Sequence, residues 1–221
     1  LLKTVLLIVR FAIGSMTNSE ITSEASWENA QKWEASWWVG VANTYGEETK
    51  QLLYANRMGL RLFHDGKSPY NIDMKGTSVL DIGGGPVSLL LKCVNVRGKV
   101  VDPLEFPLWV YDRYELAGIE FEAGTGEEIS ENGWDECWIY NVLQHVKDPQ
   151  KVVENAKKAG KLIRIFEWLD TVSNIGHPHI LTEDALNEWL GGEGKAEKLK
   201  GEAHCYGTAY YGVFRGDGQN I

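Results

Sequence analysis

Apolar positions change their spacing several times along the chain, and each change marks a predicted element. Over residues 26–38, Trp27, Ala30, Trp33 and Trp37 recur at three- and four-residue steps. This is the spacing of one helix face, so an amphipathic helix carrying a tryptophan stripe is expected. A second helical stretch is expected over 47–62, where Leu52, Leu53, Ala55, Leu60 and Leu62 interleave with polar residues. It runs into a His64-Asp65-Gly66-Lys67-Ser68-Pro69 loop, whose end near Ser68-Pro69 marks the predicted start of a core domain. Short apolar runs at 77–82, 99–102, 119–123, 136–140 and 161–168 predict five strands, the first stopping at three glycines and followed by a helical stretch at 87–93. Residues 182–190 predict a helix with Thr182 as N-cap and Gly191-Gly192 as its stop, and 196–199 and 209–214 predict two closing strands.

Strands alternating with helices imply parallel pairing through right-handed crossovers. The expected fold is α/β: a doubly wound, mostly parallel seven-stranded sheet with an N-terminal helical cap. With 221 residues, one principal core is expected. The predicted division is a leader at 1–15, the cap at 16–75 and the core at 76–221. Residues 1–13 are mostly apolar but carry Lys3 and Arg10, fall short of the roughly 18–20 residues that span a membrane, and run into Gly14-Ser15-Met16. They read as a non-native leader; a signal-peptide segment is the competing reading.

Composition adds boundaries. Hydrophobic residues at 43% and charged residues at 24% fit an ordinary folded domain. The net charge of −9 opposes a sequence-independent grip on a phosphate backbone, so nucleic acid is disfavoured as a partner. Cys93, Cys137 and Cys205 have no CxxC spacing, which points to a reduced, cytoplasmic protein without a zinc site. No membrane partner is expected, and the oligomeric state is left open.

The chemistry concentrates at Asp81-Ile82-Gly83-Gly84-Gly85-Pro86. Glycines between a strand and a helix let a ligand touch backbone that a Cβ would push away, and the helix would offer free N–H groups. Asp102, at the end of the next strand, can accept both hydroxyls of a ribose. A nucleoside site follows. Which nucleoside is decided by charge: a diphosphate would meet Asp81 and would find no N–H on Pro86, and Ser88 replaces the third glycine of the dinucleotide fingerprint. A cationic sulfonium would instead be attracted.

Residues 79–85 (Val-Leu-Asp-Ile-Gly-Gly-Gly) resemble the first motif of class I S-adenosylmethionine-dependent methyltransferases, and Val100-Val101-Asp102-Pro103 resembles their second. Residues 121–127 fall where that family has its adenine loop, and 141–149 (Asn-Val-Leu-Gln-His-Val-Lys-Asp-Pro) resemble the segment after the fourth strand in its small-molecule branch, quinone-pathway O-methyltransferases included. The resemblance spans about 76–189 and implies a Rossmann-like methyltransferase with S-adenosyl-L-methionine as cofactor and a small-molecule methyl acceptor. It implies that Asp81, Gly83, Gly84, Gly85, Asp102, Pro103, Thr125, Gly126 and Asn141 hold the cofactor. Thr125 stands where an acidic residue is frequent, which leaves the adenine contact to backbone or to Glu127.

If the acceptor is a hydroxyl, a base must take its proton. His145 and His177 are the candidates, with Asn141 beside them and His179 a further possibility; for His145 a packing role is the competing reading. A ring of the cap, from Trp33, Trp37, Trp38 or Tyr45, is expected to close over the sulfonium. Metal dependence is not expected, because Asn141 stands where an acidic ligand would be, although Asp170 follows the fifth strand. Two other functions stay open: a nicotinamide-dependent oxidoreductase, and a catalytically silent S-adenosylmethionine-binding module.

Overall fold

In a computed structural model, residues 21–63, 71–169 and 171–216 are described; the leader at 1–15, the boundary near Ser68-Pro69 and Asp170 lie outside the described residues. Successive side chains of a strand point to opposite faces, so an apolar run such as Val79-Leu80 builds two cores at once. Val79, Val100, Trp138 and Phe166 face one core with residues of the N-terminal helices, and Leu80, Val101, Ile139 and Ile165 face a second core on the other side. Strands buried on both faces require helices on both faces, which is why these runs read as continuously apolar.

Two helices, α1 (Glu24–Trp38) and α2 (Val41–Arg57), lead into the short strands β1 (Leu62–Phe63) and β2 (Asn71–Asp73). The main sheet is built from β3 (Ser78–Ile82), β5 (Arg97–Asp102), β6 (Glu120–Ala123), β7 (Trp134–Tyr140), β8 (Gly160–Leu169), β9 (Lys195–Lys200) and β10 (Tyr206–Arg215), with the two-residue β4 (Cys93–Val94) between β3 and β5. Helices α3 (Leu108–Leu116), α4 (Pro149–Ala159) and α5 (Glu183–Leu190) connect them. Strand order is β6-β5-β3-β7-β8-β10-β9; pairings from β6 across to β8 are parallel, and β10 runs antiparallel to both neighbours. The chain therefore winds outward from β3 in one direction and from β7 in the other, so a switch point opens between the carboxyl ends of β3 and β7. The expected doubly wound, mostly parallel seven-stranded sheet is present.

Three local expectations are corrected. The second helix ends at Arg57 rather than 62: Gly59 adopts φ +73° and the Leu60 N–H reaches back to the Ala55 carbonyl, which releases Leu62 into β1. The helical stretch at 87–93 is not an α-helix but two 3-10 turns, Gly85–Val87 and Leu89–Lys92, split by Ser88 in extended conformation. Ser88 turns out of the helix because its hydroxyl both donates to Asp81 and accepts from the Leu90 N–H. The predicted cap is also not purely helical, since β2 pairs in parallel with β4 of the core. Among the described residues no helix is long and apolar enough to cross a membrane.

Candidate functional site

The carboxyl ends of β3, β5 and β7 deliver Gly83, Asp102 and Asn141 to one place, and α1 and α2 cover it. Two cavities meet there. The first, about 490 Å³ including the space at its open mouth, reaches from Trp27, Gln31 and Glu34 past Asp102, Pro103 and Leu104 to Thr125, Gly126, Glu127 and His145. The second, about 380 Å³, lies between Glu34, Trp38, Glu47 and Gln51 of the helices and the backbone of Gly83 to Gly85. Glu34, Gly83, Asp102 and Asn141 line both.

Each glycine of the turn answers a specific approach. Gly83 has φ +73°, and a Cβ there would stand 2.7 Å from the Val142 methyls. A Cβ on Gly84 would stand 2.6 Å from Asp81 Oδ2. The turn lies directly on Asp81, and this changes the role expected for that carboxylate. Asp81 is fully buried, lines neither cavity, and accepts from the Ser88 hydroxyl at 2.5 Å and the Tyr140 hydroxyl at 2.7 Å. Burial pushes its pKa up to about 7, with the charge of Asp102 adding to the effect. It braces the loop from beneath and presents no charge to a ligand. Several donors above it are spent inside the protein: the Gly85 N–H goes to Asp102 Oδ2 at 3.0 Å, Ser88 N–H to Tyr114 Oη and Leu89 N–H to Tyr140 Oη.

Asp102 is held from two sides, Oδ2 by the Gly85 N–H and Oδ1 by the Leu104 N–H at 2.9 Å. Burial pushes its pKa up to about 7, against those two hydrogen bonds and with the charge of Glu34. Each oxygen keeps a lone pair for a diol. Asn141 has φ +58°; its N–H donates to the Phe166 carbonyl at 2.8 Å and its Oδ1 accepts from Gln144 Nε2 at 2.9 Å. The two residues after it are pinned by a group that sequence reading missed. Glu167, wholly buried on β8, accepts from the N–H groups of Val142 and Leu143, both at 3.0 Å to Oε1. Burial pushes its pKa up to about 8.

Thr125 and Gly126 line the first cavity, and Thr125 Oγ1 donates to Glu128 at 3.0 Å. Glu127 is spent on the Lys147 and Asp148 N–H groups at 2.8 and 3.1 Å, tying two loops together. His145 also lines that cavity, but both of its ring nitrogens are engaged, Nδ1 with the Gly176 carbonyl at 2.7 Å and Nε2 with Gln144 Nε2 at 3.3 Å. Donation from Nδ1 fixes the tautomer, and burial pulls the pKa down to about 4. His177 lines neither cavity and packs edge-on against His145 with ring centres 4.7 Å apart. His179 is buried between Thr22 Oγ1 and the Val146 carbonyl. Of the cap rings, Trp27 and Trp38 reach the cavities. Tyr45 is 73% exposed and lines neither, while Trp33 and Trp37 stack on each other at 5.8 Å.

The charge in the site comes from the helices. Glu34 lies one turn before Trp38, and Glu47 one turn before Gln51, so each pair shares a helix face. Burial pushes the Glu34 pKa up to about 7, eased by a hydrogen bond from the Trp38 side chain and reinforced by the charge of Glu47. Among the described residues no lysine or arginine lines either cavity. Glu34 stands between Trp33 and Trp37 in the sequence, a carboxylate that the tryptophan spacing alone does not single out.

The fold has solved counterparts. The complex of DhpI with S-adenosylhomocysteine is similar at TM-score 0.55 and 15% identity, over 88% of this chain and 98% of that one. A Thermotoga maritima S-adenosylmethionine-dependent methyltransferase, described as a possible histamine N-methyltransferase, gives 0.52 and 12% over 86% and 99%. The mitomycin 7-O-methyltransferase MmcR gives 0.53 and 16%, over 78% of this chain and 54% of that one. This chain has the methyltransferase fold. It spans about half the length of MmcR. No protein-family model matches the sequence, and no curated protein does.

Proposed function

We propose that this chain binds S-adenosylmethionine and catalyses transfer of its methyl group to a small-molecule acceptor. The observation that carries the proposal is the pair of joined cavities at the carboxyl ends of β3, β5 and β7, walled by Glu34, Glu47 and Asp102 and, among the described residues, free of lysine and arginine. Such walls attract a cationic nucleoside and repel a diphosphate. A nicotinamide dinucleotide would also find the N–H groups of Gly83, Gly85, Ser88 and Leu89 already taken within the protein.

In this reading Asp102 takes the ribose hydroxyls, the backbone of Gly83 to Gly85 supports the amino-acid end, and Pro103, Thr125 and Gly126 flank the base. The bound sulfonium supplies an activated methyl carbon. The protein's own task is alignment: Glu167 fixes the 141–143 loop, Asp81 fixes the glycine turn, and α1 and α2 exclude water from above. With both ring nitrogens engaged and its basicity lowered, His145 serves to orient Gln144 and the Gly176 loop rather than to take a proton. Titration calorimetry with S-adenosylhomocysteine and NAD tests the proposal. S-adenosylhomocysteine should bind at least about tenfold more tightly; tighter binding of NAD defeats the reading.

A further inference from the structure

Along α1, Trp27, Gln31, Glu34 and Trp38 recur at steps of three and four residues, so they share the face that the helix turns toward the two cavities. Of these two cavities Trp38 lines the second, where its ring lies 3.9 Å from the point at which a Cβ on Gly85 would stand. Glu34 lines both, together with Asp102, and Trp27 lines the first. At about 1.5 Å of rise per residue, Trp27 is roughly 16 Å along the helix from Trp38. The Trp27 end is tied to the loop of Thr125 and Gly126. The Thr22 N–H donates to the Lys147 carbonyl at 3.0 Å, and the Lys147 N–H donates in turn to Glu127 Oε1 at 2.8 Å.

Trp27 is half-buried and belongs to neither hydrophobic core, so packing against the sheet does not account for its ring. Its surroundings hold it in place all the same. Lys147 Nζ stands over one face, 4.1 Å from the ring centre, and 2.7 Å from both carboxylate oxygens of Glu24. Lys147 does not line the first cavity whereas Trp27 does, so the indole stands between the ammonium and the cavity. Gln31, one turn further on, fixes the helix by donating to the His145 carbonyl at 3.3 Å. Among the described residues that line the first cavity, Trp27 carries the one indole or phenyl ring.

Resting on the methyl-transfer reading above, we infer that Trp27 is the platform on which the adenine of the cofactor stacks. A purine offers a flat π-face, and an indole is the side chain best matched to it in area. The ring is held between Lys147 and the cavity before a ligand arrives, so stacking costs little further ordering. The order of side chains along α1 then follows the cofactor from end to end: Trp38 over the amino-acid part, Glu34 beside the ribose carboxylate Asp102, and Trp27 on the base. Binding of the base pins the amino-terminal half of α1, and the helix closes over the whole ligand as one piece.

Calorimetry on the full chain with adenosine and with S-adenosylhomocysteine tests this. Trp27→Leu should weaken both ligands by about tenfold or more, and by factors within about threefold of each other, because both carry the same base. Trp27→Phe keeps a smaller π-face and should recover most of the loss. Unchanged affinities in Trp27→Leu overturn the inference. A much larger loss for S-adenosylhomocysteine than for adenosine means that α1 has shifted and taken Glu34 and Trp38 from the amino-acid end, and this also overturns it. Should Trp27→Leu fail to fold, fluorescence decides. Saturating adenosine should quench the tryptophan emission of the wild type, and quench it less in Trp27→Phe with adenosine still bound. Equal quenching in the two proteins, or none in the wild type, overturns the inference. Each of these failures leaves the methyltransferase reading standing, whereas no binding of S-adenosylhomocysteine to the wild type defeats that reading itself.

Discussion

The ligand-free protein should lose stability as pH rises from 6.5 to 8. Asp81, Asp102 and Glu34 hold their protons to about 7 and Glu167 to about 8, in each case chiefly because burial disfavours the charged form. In the unfolded chain the same carboxyls are ionised above pH 5. The native state therefore binds more protons in this window, and stability must fall with pH. The histidines act the other way but lower down. Burial holds His145 and His177 to about 4, so they oppose the carboxyls only below about pH 6.5. If mutual coupling limits the four carboxyls to one or two net protons, the slope is about 1.4 to 2.8 kcal/mol per pH unit. For a chain of this length that is a fall in Tm of roughly 3–10 °C per unit. Differential scanning calorimetry at pH 6.5, 7.0, 7.5 and 8.0, at constant ionic strength and without ligand, measures it. A flat or rising Tm refutes the argument. Asp81→Asn removes one titrating group while keeping an acceptor for Ser88 and Tyr140, so it should flatten the slope.

Three substitutions probe the loops directly. Glu167→Ala leaves the Val142 and Leu143 N–H groups without an acceptor and should cost about 2–4 kcal/mol in urea unfolding, with Glu167→Gln recovering most of it. Gly84→Ala puts a Cβ 2.6 Å from Asp81 Oδ2; calorimetry should show S-adenosylhomocysteine affinity falling by about tenfold or more, and wild-type affinity would mean that the turn yields freely. For His145→Gln, once an acceptor is in hand, kcat should fall less than about tenfold, where loss of a general base costs about 10²–10⁴.

What the sequence made legible was whatever short-range pattern controls. The five core strands and the helix beginning at Thr182 stand within a few residues of expectation, because short apolar runs and a capping threonine act locally: Thr182 Oγ1 accepts from the Ala185 N–H at 3.3 Å. The missing helix after the glycine turn was not legible. It is undone by a tertiary event, the capture of the Ser88 hydroxyl by Asp81, and nothing in Val87-Ser88-Leu89-Leu90 announces it. The early end of α2 was partly visible in Gly59, whose positive φ lets the chain reverse before Leu62.

The carboxylates that face the cavities are not the one beside the glycine turn. The expectation that a diphosphate would meet Asp81 placed the carboxylate towards the ligand; in the folded chain it faces two hydroxyls beneath the turn. The negative wall is supplied by Glu34 and Glu47, which are distant in sequence from Asp102 and meet it only because α1 and α2 fold over the switch point. This arrangement has a consequence that a strand-end carboxylate alone would not. Binding of a cation draws Glu34 and Asp102 into their ionised forms, so ligand affinity must rise with pH across the range in which the free protein weakens. The Tm gain produced by a saturating cationic ligand should therefore be larger at pH 8 than at pH 6.5. A gain independent of pH would show that neither carboxylate changes its protonation on binding, and the cation-attracting wall would lose its physical basis.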